Sequence, residues 1–70
     1  MGIAKVNTMY IKGYDNKGNT LFKSFIKKRS YAKKVTESHI DDLLDVAVIY
    51  TNNGDQVSII YDKNHGGIKE

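Results

Sequence analysis

Histidines and carboxylates are the side chains of this chain that could hold a metal or move a proton, and their spacing decides whether they do. His39 stands beside Asp41 and Asp42, but no second His follows four residues on and no Cys or Glu completes a ligand set. Asp41 and Asp45 are spaced for neighbouring turns of a helix, yet a divalent ion would need a third carboxylate from elsewhere. Solvated acids are the expectation. Asp15-Asn16-Lys17-Gly18-Asn19 has the look of a calcium loop, but its Gly comes too early and the terminal Glu is missing. His65-Gly66-Gly67 lacks a following helix or strand, so it does not read as a phosphate cradle. Ser24, Ser30, Ser38 and Ser58 have no His arranged as a base. The residues point to a protein that is not an enzyme, with no cofactor and no metal.

Binding chemistry is better represented. The stretch FKSFIKKRSYAKK, Phe22 to Lys34, concentrates Lys23, Lys27, Lys28, Arg29, Lys33 and Lys34. Residues 1–34 hold nine Lys/Arg and one acid, a local charge of +8, whereas residues 35–70 hold two Lys and seven acids, a local charge of −5. The net +3 therefore hides an electrostatic dipole large enough to steer a charged partner. Lys27, Lys28, Arg29, Lys33 and Lys34 are the candidate contacts for an anionic partner.

Seventy residues make a single small domain, 1–70, with an ordered core expected over about 5–63 and a flexible Gly-rich tail over 64–70. A chain of this size buries only about 60% of its unfolded surface, so its core must be efficient or be completed by a partner. The chain has no Cys, which excludes disulfides and thiolate metal sites and fits a reducing cytoplasm. Its longest apolar run, Val46–Tyr50, is far short of the roughly 20 residues of a membrane span. MGIAKV has no apolar h-region, and Val6 stands where a myristoylation signal wants Ser or Thr. A cytoplasmic protein with no membrane partner is expected. The Lys/Asn/Ile-rich, Pro-free and Trp-free composition suggests an AT-rich coding source such as a low-GC bacterium, a phage or another mobile element.

Two turns and one cap organise the elements. Asp15-Asn16-Lys17-Gly18 predicts a type I turn with Gly18 left-handed, and Asn53-Gly54 predicts a type I′ turn with positive φ at both residues. Each lies between β-rich runs: 5–14 and 19–28, then 46–52 and 55–62. Between the hairpins, Ser30 is an N-cap candidate, and apolar residues from Tyr31 to Leu44 recur near helical spacing, predicting a helix over 31–45. The fold class is α+β, ββαββ, two hairpins in a four-stranded sheet with one helix on one face. The hairpins could join through outer strands in parallel or through inner strands.

Register fixes which side chains meet the helix. Pairing Ile11 with Phe22 and Met9 with Ser24 places Met9, Ile11, Phe22 and Ile26 beneath it. Val46, Val48, Tyr50, Val57, Ile59 and Tyr61 share a face of the second hairpin. Adding Val46, Val48, Val57 and Ile59 to the helix side, with Val35, Leu43 and Leu44 from above, completes the expected core. The other face then carries Tyr10, Lys12, Tyr14, Leu21, Lys23, Phe25, Ile49 and Ile60, with Lys27 at its border. Aromatics interleaved with lysines suit a protein hot spot, a second copy of the chain, or stacked bases with neutralised phosphates. The expected function is a small non-enzymatic binding protein that docks on a larger protein and modulates it. The alternative is an accessory nucleic-acid binder using this face and the basic helix entrance.

Overall fold

A computed structural model describes residues 9–69 of the chain. The elements run β1 (Met9–Tyr14), β2 (Thr20–Ile26), α1 (Ser30–Glu37), β3 (Val46–Thr51), β4 (Gln56–Asp62) and β5 (Gly67–Ile68). The strands form one antiparallel sheet in the order β2-β1-β3-β4-β5, with α1 packed on one face. The α+β class stands, with five strands in place of four. The expected strand residues 5–8 lie outside the described residues.

Both hairpin loops are built alike. Gly18 N–H donates to the Asp15 carbonyl at 3.1 Å and Gly54 N–H to that of Thr51 at 2.9 Å, while Asp15 N–H and Thr51 N–H reach the Asn19 and Asp55 carbonyls. Each loop ends on a left-handed glycine, φ +86° at Gly18 and +93° at Gly54. A side-chain oxygen braces each loop: Asp15 Oδ1 accepts from the N–H groups of Lys17 and Asn19, and Thr51 Oγ1 from those of Asn53 and Asp55. Asn53 does not take positive φ, so the second turn is not type I′ but a three-residue loop closed by glycine, like the first.

The register of the first hairpin differs from expectation by two residues: Ile11 faces Ser24 and Met9 faces Ile26. One residue comes from the loop, which closes on Asp15 and Asn19, and the other from a bulge at Gly13/Tyr14. A Cβ on Gly13 would meet Leu44 Cδ1 at 2.8 Å and the Phe22 ring closer still, so the bulge needs glycine. A shift of two preserves side-chain parity, and Ile11 and Ile26 are buried as expected, with Met9 and Phe22 packed against the core.

The second hairpin inverts. β3 joins the sheet through β1, antiparallel, pairing Ile11 with Ile49, Gly13 with Ala47 and Tyr10 with Tyr50. The hairpins thus meet through their first strands, neither of the expected junctions. Ala47 and Ile49, both fully buried, now lie beside Ile11 under the helix, and Val46, Val48 and Tyr50 point the other way, Val48 remaining buried there. Two register breaks against β4 leave Ile60 and Val57 without cross-strand partners, and both Ile60 and Tyr61 enter the core. Val57 and Ile59, expected in the core, are exposed.

The helix ends eight residues before its expected limit. Arg29 occupies the N-cap position with no side-chain cap bond, and Ser30 is the first helical residue rather than the cap. α1 buries Ala32 and Thr36 and packs Val35 on the core. At its end the Ser38 hydroxyl donates to the Val35 carbonyl at 2.7 Å. Beyond it Asp41 Oδ1 accepts from the N–H groups of Leu43 and Leu44, offering the backbone a local partner that competes with helix. Leu44 is buried as expected, but Leu43 is 65% exposed.

The segment expected as a frayed tail supplies the fifth strand. Gly66 and Gly67, at φ +99° and +76°, turn the chain back on β4. Ile68 pairs with Tyr61 and packs on the core, and Lys69 N–H donates to the Ile60 carbonyl at 2.7 Å.

Candidate functional site: an aromatic sheet face

β1 positions the centre of the open face, because its even-numbered residues Tyr10, Lys12 and Tyr14 point away from the buried Ile11. β2 adds Phe25 opposite Tyr10 and Lys23 opposite Lys12, and β3 adds Tyr50 on the far side of Tyr10. The result is a row of rings across three strands. Phe25 meets Tyr10 edge-on with centroids 5.7 Å apart, and Tyr10 stacks on Tyr50 at 5.2 Å and 21°. The Tyr14 and Tyr50 hydroxyls are hydrogen-bonded at 2.7 Å. Lys23 Nζ lies 4.5 Å from the Tyr10 centroid and 5.1 Å from that of Phe25, within cation–π range.

Of the residues expected on this face, Tyr10, Lys12, Tyr14, Leu21, Lys23 and Phe25 share it. Ile49 and Ile60 do not: at 0% and 4% exposure they belong to the core beneath the helix. Tyr50 takes the place assigned to Ile49. Its phenolic oxygen was the available signal, since a tyrosine under the helix would need a buried partner for its hydroxyl. Phe25 is the most accessible apolar member, 62% exposed, with Leu21 at 39% on the same strand. Burial pushes the Tyr50 phenol above its ordinary pKa of 10.0, reinforced by the Tyr14 hydrogen bond and partly opposed by the Lys12 charge.

The basic residues separate into two groups. Lys27, Lys28 and Arg29 are exposed on the connection from β2 to α1. Lys33 and Lys34 belong to the helical layer, on the other side of the sheet from Tyr10 and Phe25. Arg29 and Lys33 line, with Ser30, Ile60 and Lys69, a cleft of ≈ 390 Å³. Lys69 Nζ there donates to the His65 carbonyl at 2.5 Å.

A second cavity, ≈ 460 Å³, lies between the first hairpin turn, the segment after α1 and the turn after β4, and includes Asp15, Asp42, Asp45, Lys17 and Lys63. Its polar groups are largely paired within the molecule: Asp15 with backbone N–H groups of its own turn, Lys63 Nζ with the Asp42 carbonyl at 2.8 Å, and Asp45 Oδ1 with the Asn64 side-chain Nδ2 at 3.3 Å. The Asn19 backbone N–H, then the Asn19 side chain, hold the Asp15 carboxyl below its usual range. His39 is not helical, although the helix expected over 31–45 would include it. It lies beyond α1, exposed, with its ring stacked on Phe22 at 3.9 Å and 8°. Asp41 and Asp45 share no helix. Among the described residues no group of three His, Cys, Asp or Glu side chains is placed to hold a metal ion, and no helix is long and apolar enough to cross a membrane.

No family model, no curated protein and no solved structure matches the chain.

Proposed function

We propose that the chain is a small non-enzymatic binding protein that docks on a larger protein through the open face of its sheet and modulates it. The observation that carries this reading is the Phe25–Tyr10–Tyr50 row, with Phe25 62% exposed at its rim. Large rigid rings that lose little conformational freedom on docking are the usual anchors of protein interfaces, and lysine stems beside them supply a polar border.

The geometry favours a protein over a nucleic acid. A stacking platform for bases needs free ring faces. Tyr10 is stacked on Tyr50 and capped by Lys23, so its ring is engaged within the molecule. The two helical lysines belong to the opposite layer, which divides the cations that a single phosphate track would have to join.

The test is a pair of measurements on the purified protein. Cross-linking from a native extract, wild type beside Phe25→Ser, should give a partner adduct that the variant loses. Titration with single-stranded DNA and RNA should show no affinity near physiological salt at high micromolar protein. Oligonucleotide binding whose log–log salt slope approaches roughly −3.5, the value for five phosphate contacts on a single strand, would replace the protein reading with the nucleic-acid one.

A further inference from the structure

We infer that the outer edge of β2 is a strand-addition site for an acidic extended segment of the partner protein. This rests on the docking reading above and names the part of the partner that is recognised. Among the described residues β2 is the sheet's only long edge: it pairs with β1 alone, while the other edge, β5, is two residues long. An edge strand presents a row of N–H and C=O groups on which another strand can continue the ladder. β2 also carries Phe25 and Leu21, 62% and 39% exposed, beside that edge. A strand kept only from aggregating has no use for two large apolar side chains there.

Charge selects the occupant. Residues 16–36 contain seven Lys/Arg and no acid, so a segment laid along β2 meets Lys23 beside it and Lys27, Lys28 and Arg29 at its end. An incoming strand with a carboxylate beside Lys23, apolar side chains beside Leu21 and Phe25, and further acids at the β2 exit would match that side of the sheet in both charge and apolar surface. A second copy of β2 fits badly. Antiparallel pairing over the full strand, Thr20 against Ile26, puts Lys23 opposite Lys23, a repulsive cross-strand pair. The lysine that rejects a copy of this strand is the one that accepts an acidic strand.

The probe is a blocked peptide the length of β2 with Glu placed beside Lys23 and at the β2 exit and Val beside Leu21 and Phe25, compared with its Lys-for-Glu counterpart and with the Glu peptide N-methylated at alternate residues. Binding is followed by amide NMR shifts and hydrogen exchange. The Glu peptide should bind, with slowed exchange confined to β2. The Lys peptide should not bind, and N-methylation should weaken binding about tenfold or more by removing backbone bonds. No shifts with millimolar Glu peptide, equal binding of the N-methylated form, or protection away from β2 would each overturn the proposal. Phe25→Ser separates the two readings. If the variant loses the cross-linked partner while the Glu peptide never protects β2, face docking stands and strand addition fails. If the peptide protects β2 in both proteins and no cross-link depends on Phe25, strand addition stands without the face.

Discussion

Phe25 and Ile49 are both large, apolar and on strands, yet their substitution should have opposite consequences. Phe25 is mostly in solvent, so Phe25→Ser should change stability by no more than about 0.5–1 kcal/mol, the scale of surface substitutions. Ile49 is fully buried in the core beside Ile11, and Ile49→Ser should cost on the order of 2–5 kcal/mol, enough to unfold a small domain. Thermal or urea melts of the two variants check the face assignment directly, and an unfolded Phe25→Ser protein would refute it. The Tyr14–Tyr50 hydrogen bond makes a second prediction. The folded-state pKa of Tyr50 is raised above 10.0, so its neutral phenol stabilises the fold fully below the unfolded value. That contribution is lost as pH rises through the folded value. Ring NMR should find Tyr50 titrating above the ordinary tyrosine value of 10.0. Tyr14→Phe should lower the Tyr50 value without restoring it fully, because burial, the larger cause, remains. Titration of Tyr50 at or below 10.0 would count against the half-buried pair.

At the scale of elements, the two hairpin loops share one construction, and their glycines should behave alike. Gly18→Val and Gly54→Val each place a β-branched residue at positive φ and should destabilise by about 1–3 kcal/mol. A Cβ at Gly18 meets no atom within 4 Å, so the loss there would come from backbone strain alone. Melting temperatures unchanged in both variants would mean that the loops adopt other conformations. These loops were legible because Gly, Asn and Asp cluster between β-branched and aromatic runs. The faces of the first hairpin were legible too, because its register error of two left side-chain parity intact. The second hairpin was not. Val46, Val48 and Tyr50 alternate as cleanly as Ala47 and Ile49, and apolar residues occupy both parities. What decided between them was the pairing of β3 with β1, a long-range contact with no local signature. The bulges that send both Ile60 and Tyr61 inward break the alternation on which any strand reading depends. The helix end was misread for a related reason: Ile40 and Leu43 continue the helical spacing, but Ser38 and Asp41 satisfy nearby backbone groups in competition with it. β5 escaped notice because two residues carry no periodicity, and its strand depends on Ile68 packing beside Tyr61.

For the whole molecule, the charge division and the sheet's unequal edges together determine what kind of association is open to it. A basic first half and an acidic second half could in principle attract head to tail, a contact that builds rings or open filaments rather than a two-fold dimer. The two halves are interleaved, however. β3, from the acidic half, lies directly against β1, from the basic half, so the sequence dipole folds into a sheet with mixed neighbours. What remains concentrated is the positive edge at β2 and the connection to α1. Two positive edges repel, and the Lys23 pair blocks the full-length β2–β2 register. The protein should therefore remain monomeric by light scattering and sedimentation up to high micromolar concentration at low salt, where this repulsion is least screened. Raising the salt to about 1 M shortens the Debye length to about 3 Å and should permit association if the exposed Phe25 and Leu21 are sufficiently adhesive. Lys23→Glu should strengthen low-salt self-association when mixed with wild type, because the central pair becomes attractive, and should leave the variant alone monomeric. A stable wild-type dimer at low salt would identify the open face or its edge as a contact between copies of the chain, and the search for a different partner would lose its basis.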